Sequence, residues 1–440
     1  MELLRVHIEN IRGIPSGASG LQIEFSEHDG KLPRWIVLAG RNGAGKSTVM
    51  RAIALTIAGP SVARLLAESF AGWIREGEQK ATSTVQVKFS EDDQWSTTGR
   101  RPKFDPWVGL KWEAADGPEP TIERERTGGS WTPTRGPWSE NPKGWFLAGY
   151  GPFRRLSSAS SEALRLMMSP GRPTALASLF REDASLSESI QWLQTVYLHR
   201  LESRGDAENL ERLVLGLLDD GLLPEGMKVE KINSQGLWVR TPEGLNFPLT
   251  ELSDGYRTVA GLVLDIVKQI HSQHQSIPFE TNNGGIQITQ AGVVLIDEID
   301  VHLHVEWQKR IGFWLKSHFP NIQFIVTTHS PFICQAADRG GLFRLSPPWE
   351  AGPAATQIEG EEYNRAVNGS ADEALLTSLF GLDHIRSSAA TEVRIRLAKL
   401  EAVAFERELT ETERQEMSDL ISQTSTSQSS DAIRALQARR

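Results

Sequence analysis

The chain has 440 residues, of which 39% are hydrophobic and 23% charged, with a formal net charge of -9. That length suits two or three subdomains of roughly 100–200 residues each, and the composition is that of a soluble globular protein. No apolar run approaches the ~18–20 residues a bilayer crossing needs, the opening MELLRVHIEN has no basic-then-apolar export segment, and the single cysteine, Cys334, excludes a disulfide or thiolate cluster within one chain, so a cytoplasmic location without membrane contact is expected.

Leu3 to Ile8 alternates as a half-buried strand does. A second β-like run, Trp35-Ile36-Val37-Leu38-Ala39, leads into Gly40-Arg41-Asn42-Gly43-Ala44-Gly45-Lys46-Ser47-Thr48, which fits G-x-x-x-x-G-K-[ST]. Glycines let such a loop fold into a nest of N–H groups facing phosphate oxygens. The helix expected from Lys46, with Val49, Ile53, Ala54 and Ile57 at helical spacing, adds the positive end of its dipole. Lys46 is expected to reach the β and γ phosphates of ATP, and the Ser47 hydroxyl to ligate Mg²⁺.

From Trp95 to Trp145 six tryptophans are interspersed with Arg100, Arg101, Lys103, Arg124, Arg126 and Arg135. This mixture suits stacking on nucleic acid or the packing of a small antiparallel sheet, and the acidic total charge decides nothing about a local basic groove. A nucleic-acid ligand is therefore left open. Arg154 and Arg155 suit either phosphate contact or a solvated surface. Short helices are expected next: Ser185-x-x-Glu188 fits a capping box, Ile190, Leu193 and Tyr197 share a helical face, and Leu210 to Leu218 forms another helix. Val229 to Ile232 and Leu237 to Val239 read as a hairpin.

Leu252-Ser253-Asp254-Gly255-Tyr256 opens a helix expected over 258–270. Its tip offers a hydroxyl and N–H groups to a phosphate; Ser253 or Asp254 also suits a plain N-cap. Gly292-Val293-Val294-Leu295-Ile296 is continuous enough for a strand buried on both faces of a parallel sheet. It ends in Asp297, expected to hold Mg²⁺ directly or through water, and Glu298, expected to act as general base. His302 and His304 have strand-like spacing but no third ligand, so they are expected to shape a loop facing the dimer partner and not to bind metal. Phe324-Ile325-Val326 leads to Thr327-Thr328-His329-Ser330, where His329 suits either a γ-phosphate contact or a satisfied loop position. Val393, Leu397, Leu400 and Ala404 define one helical face, and Thr410-x-x-Glu413 opens a second helix, together a helical hairpin. Ser422 to Ser430 reads as a polar linker and Ala432 to Arg440 as a short basic helix.

In this order the motifs resemble the ABC ATPase head. The resemblance implies an α/β, P-loop NTPase fold with a mixed sheet, a small antiparallel β subdomain, a helical lid and a C-terminal helical hairpin. It divides the chain into 1–150 (first lobe), 151–250 (lid and hairpin), 251–345 (second lobe) and 346–440 (helical). It implies that Gly40, Asn42, Gly43, Ala44, Gly45, Lys46, Ser47 and Thr48 hold ATP, and that Lys46, Glu298 and His329 serve its hydrolysis to ADP and phosphate. Asp300 matches the family's D-loop. Ser253 and Gly255 match its signature, which serves the nucleotide of a second copy, so a homodimer completes the site.

The glutamine-bearing loop and SALD-like D-loop of transporter ATPases are not evident. Ile296 to His304 with Trp307-Gln308, and Gln323 to Pro331, look like the SMC, RecF and OLD branch. So does Glu9-Asn10-Ile11-Arg12-Gly13, which places Arg12 near the nucleotide by that resemblance. No long heptad repeat interrupts the lobes, and no D-x-D follows His329, so neither coiled coil nor built-in Toprim nuclease is expected. Ser378-Leu379-Phe380-Gly381-Leu382-Asp383 with Arg386-Ser387 resembles stand-alone ATPases of bacterial phage-defence operons, of the Septu and PARIS kinds. That likeness implies a separate nuclease effector, of HNH type in Septu, and leaves a higher oligomer open. The favoured expectation is an ATP-driven dimerisation switch controlling that effector; the alternative is a RecF-like DNA-binding repair ATPase.

Overall fold

Burial alternates along β1 (Glu2–Glu9), which turns Leu3, Val6 and Ile8 inward. The computed structural model describes residues 1–95, 102–126, 133–140, 142–153, 171–182, 187–223, 226–274, 276–282, 285–382 and 386–423. In it β1 pairs with β2 (Leu21–Glu24) and β4 (Lys80–Lys88); β5 (Trp107–Glu113) and β6 (Thr121–Arg124) complete a five-stranded antiparallel sheet.

The second sheet gathers strands from both ends of the chain. Its order is β16 (Ala355–Gln357), β15 (Leu342–Leu345), β3 (Trp35–Ala39), β14 (Ile322–Thr328), β13 (Gly292–Ile296) and β7 (Phe146–Tyr150). All neighbours run parallel except β15 and β16. Every residue of β3, β7, β13 and β14 is buried, as continuous apolar runs require when both faces of a sheet are covered.

Alternation along these strands feeds two cores. Val37, Val294, Ile296, Phe324 and Val326 join one with α6 (Asp254–His274) and α7 (Val305–His318); Ile36, Leu38, Val293, Leu295 and Ile325 join the other with α1 (Lys46–Ala58). Gln323, on the strand between, is fully buried: it accepts from the Leu3 N–H at 2.7 Å and donates to the Leu3 carbonyl at 3.2 Å, tying the two sheets together.

Around this frame lie α2 (Pro60–Leu66), α3 (Arg172–Phe180), α4 (Ser187–Leu201) and α5 (Ala207–Asp219). A three-stranded sheet of β8 (Lys228–Asn233), β9 (Gly236–Arg240) and β10 (Asn246–Pro248) contains the expected hairpin, and β11 (Phe279–Asn282) with β12 (Gly285–Ile288) adds a ribbon. Then come α8 (Pro331–Cys334), α9 (Gly360–Val367) and α10 (Ala371–Leu375).

The tryptophan-rich stretch packs inward. Trp112 stacks on Trp73 with centroids 5.4 Å apart, Trp145 meets Trp95 edge-on at 5.0 Å, and Trp138 Nε1 donates to the Thr56 carbonyl at 3.0 Å. Trp131, Arg100, Arg101, Arg154, Arg155, Ser185, Asp383 and the segment 424–440 lie outside the described residues. His302 and His304 do not alternate along a strand: His302 sits in a turn with φ +68°, and His304 caps α7, its side chain accepting from the Glu306 N–H.

Contacts divide the chain into two compact units, Met1–Gly381 and Leu382–Arg440. In the second, α11 (Ser388–Glu406) packs with α12 (Glu411–Gln423), braced by Arg396 and Glu416, and the Thr410/Glu413 capping box is formed. Among the described residues no helix is long and apolar enough to cross a membrane.

Candidate nucleotide site

The turn after β3 needs glycine. Gly43 (φ +81°) and Gly45 (φ +80°) are in the left-handed region, and Gly45 caps α1. A Cβ on Gly40 would stand 2.6 Å from the Leu345 carbonyl oxygen. This loop, from Asn42 to Thr48, lines a cavity of about 520 Å³ together with Arg12, Glu298 and residues between Ser346 and Ala354. The N-terminus of a 13-residue helix thus opens into a concave site beside a lysine, an arrangement suited to anions.

Lys46 is almost wholly buried. Its Nζ donates to the carbonyls of Gly40 (2.9 Å) and Arg41 (3.3 Å) and lies 2.8 Å from His329 Nε2. Burial holds the ammonium below its usual pKa, opposed by the charges of Glu298, Asp297 and Asp300. Burial and then the Lys46 charge likewise hold His329 below the usual histidine value, so its neutral ring is favoured as the lysine's acceptor.

The carboxylates come from the end of β13, organised by the neighbouring strand. Thr327 Oγ1 donates to Asp297 Oδ1 at 2.5 Å and accepts from the Glu298 N–H at 2.7 Å. The second bond holds Glu298 at φ +47°, a backbone conformation costing about 1–3 kcal/mol in a non-glycine residue. Thr328 Oγ1 donates to Asp300 Oδ1 at 2.5 Å, and the His329 N–H donates to the same oxygen at 3.3 Å. The Asp297–Asp300 turn and the Thr327–His329 strand end are therefore one hydrogen-bonded body.

Arg12, at φ +52°, lines the cavity, donates to Thr48 Oγ1 at 3.4 Å and lies over Trp73, 5.1 Å from the ring centroid. The remaining expected residues are elsewhere. Ser253 is exposed and Gly255 is packed so that a Cβ would meet the His302 carbonyl oxygen at 2.7 Å; neither lines the cavity. For Mg²⁺, the nearby donors are hard oxygens: the Ser47 hydroxyl and the buried Asp297 carboxylate. That set fits an ion that keeps most of its shell for water and phosphate.

Sequence reading missed three contributors. Thr327 reads as the end of an apolar strand, and its role exists only through the pairing of β13 with β14. Tyr150 and Ser189 donate to the buried Asp265 of α6, at 3.0 and 2.9 Å, through contacts 115 and 76 residues apart in sequence. The wall from 346 to 354 carries no phosphate motif; its two consecutive prolines, Pro347 and Pro348, were the available signal of a fixed loop.

A glycine loop between strand and helix, an acidic pair two strands away in the same sheet, and a histidine on the strand between define an ATPase head of the ABC type. The chain belongs to the family described as "AAA domain, putative AbiEii toxin, Type IV TA system", which it matches over residues 36–335. It is similar to the "Septu protein PtuA" of Bacillus thuringiensis, 33% identical over 137 residues covering 31% of this chain and 33% of that protein. A protein of the same description from Bacillus mycoides is 27% identical over 391 residues, covering 86% of this chain and 44% of the other. The "Retron Ec83 probable ATPase" of Escherichia coli is 39% identical over 101 residues, 23% of this chain and 17% of that protein. The matches thus span less than half the length of these relatives.

Proposed function

We propose that the chain binds Mg²⁺ and ATP in this cavity, hydrolyses the nucleotide, and uses the cycle as a dimerisation switch that restrains or releases a separate nuclease in bacterial anti-phage defence. One observation carries the reading. The P-loop, Glu298 and Arg12 share a cavity, while the exposed Ser253 at the tip of the 21-residue α6 lies outside it. A helix tip bearing a hydroxyl and N–H groups is a phosphate ligand in want of a phosphate, and a second copy supplies one.

In this reading the loop amides and Lys46 take the β and γ phosphates, and Ser47 and Asp297 would hold Mg²⁺, which would supply positive charge beside those phosphates. Glu298 accepts the proton of the attacking water. His329 leaves Lys46 for the γ phosphate, and the partner copy's α6 tip and Asp300 turn close the far side. The relatives named Septu and retron support the defence role; the HNH type of the effector rests on the Septu likeness. The cytoplasm is the compartment this reading requires.

The test is a light-scattering measurement of Glu298→Gln with Mg²⁺ and ATP. A stable dimer is expected, and Ser253→Arg in the same background should keep it monomeric while it still binds ATP. An ATP-loaded Glu298→Gln chain that stays monomeric would remove the switch.

A further inference from the structure

Residues Ser378 to Gly381 belong to no nucleotide motif, yet bonds and packing tie them to three sides of the nucleotide cavity. Gly381 is the last residue of the first compact unit, and the helical hairpin follows it in the chain. It stands in the left-handed region at φ +58°, and its carbonyl accepts from Arg41 Nη2, inside the P-loop. A Cβ there would stand 2.6 Å from that same nitrogen, so it takes a glycine to let the guanidinium close on the backbone.

The Arg41 side chain does not line the cavity, but its backbone touches the cavity's lysine: the Arg41 carbonyl accepts from Lys46 Nζ at 3.3 Å. Arg344 makes a second tie. Its Nε donates to the Ser378 carbonyl at 2.8 Å, while its Nη2 engages both oxygens of Glu350, at 2.5 and 2.7 Å, on the cavity wall. The third tie starts beside His329. Ser330 caps α8, α8 packs on α9 and α10, and Glu362 of α9 accepts from the Ser378 N–H at 2.5 Å.

The segment is firm enough to transmit a displacement. Thr377 and Leu379 are buried, the Gly381 N–H donates to the Thr377 carbonyl at 3.1 Å, and Thr377 Oγ1 donates to the Ala374 carbonyl at 2.5 Å. A turn rooted in the core and held from outside by two arginines has few ways to shift except as one body.

We propose that Arg41 and residues 377–381 relay occupancy of the nucleotide site to the C-terminal hairpin, with Arg41 as a positioning residue that takes no part in binding ATP. The inference rests on the nucleotide reading above and adds where its signal leaves the first unit. Lys46 turning to the phosphates frees the Arg41 carbonyl, the Arg41 side chain lets go of Gly381, and the root of the hairpin loosens.

Hydrogen exchange of the full chain with and without Mg²⁺ and ATP tests it. ATP should speed exchange of peptides spanning 376–406 by at least about threefold. Arg41→Ala and Gly381→Ala should each show that faster exchange before nucleotide is added, and no further response to it. Their calorimetric ATP affinity should stay within about threefold of the unaltered chain, which also reports that they are folded. If the response survives both substitutions, or the unaltered chain binds ATP without it, the relay is wrong while the nucleotide site stands. A larger loss of affinity in Arg41→Ala would make that side chain part of the phosphate cradle and equally overturn the relay. If the unaltered chain binds no ATP, the nucleotide reading falls and takes this inference with it.

Discussion

Lys46 Nζ and His329 Nε2 stand 2.8 Å apart, across 283 residues of sequence, so without a phosphate the lysine and the histidine satisfy each other. A γ phosphate in the proposed position has to part them. Binding and sensing are then one event: the cation that grips the nucleotide is the group that releases the histidine.

The two partners should fail differently. Lys46→Met removes a charge-assisted donor worth about 1.5–3 kcal/mol, and ATP affinity should fall roughly 10- to 100-fold. His329→Gln should keep affinity within about threefold and slow turnover by roughly 100-fold. Calorimetry and phosphate-release assays separate these; equal loss of affinity in both variants would deny the histidine a role after binding.

The same histidine makes stability depend on pH. Its folded pKa is lowered, first by burial and then by Lys46, whereas the unfolded chain takes up a proton near the ordinary value of about 6.5. Between those values the unfolded state holds more protons, so stability rises with pH there. The contribution is complete above about 6.5 and lost as pH falls through the depressed folded value. Urea midpoints from pH 7.5 to 5 should therefore fall more steeply for the unaltered chain than for His329→Gln; parallel curves would show that the ring titrates freely.

Gln323 offers a test of the frame rather than the site. Gln323→Leu strands the buried N–H and carbonyl of Leu3 that the amide now satisfies, at a cost of about 2–5 kcal/mol for two orphaned backbone groups. Calorimetric unfolding should show that loss. A change under about 0.5 kcal/mol would mean the sheets are held by apolar packing alone.

Tyr150 joins β7 to the helix that carries Ser253, through the buried Asp265. Tyr150→Phe should destabilise by about 1–2 kcal/mol. Since Ser189 donates to the same carboxylate, the double change with Ser189→Ala should be non-additive by at least about 0.5 kcal/mol. Strict additivity would mean the two hydroxyls do not act through a common acceptor.

What was legible in the sequence was what repeats locally. The glycine loop, the apolar strands and the capping box at Thr410 each act within a few residues, and β3, α1, β13, β14 and α12 lie where periodicity and caps put them. Lys46, Asp297 and His329 met because parallel strands in one sheet end on one side. Thr327, Gln323 and Asp265 were not legible, since each is an ordinary strand or helix residue until a distant partner arrives. For the histidine pair near residue 303 the two-residue spacing fits a strand as well as a loop, and the structure has the loop: His302 sits in a turn and His304 caps α7.

The placement of β3 between β14 and β15 carries a cost in time. Its neighbours are synthesised nearly three hundred residues after it, so at ribosomal rates of about 5–20 residues per second the strand beneath the P-loop waits many seconds without lateral partners. The antiparallel sheet, whose strands all lie before Glu125, can assemble in that interval and shelter α1. A nascent chain cut short before Leu342 lacks the strand that flanks β3 on its other side, so the sheet beneath the P-loop closes only after Leu342–Leu345 has been made.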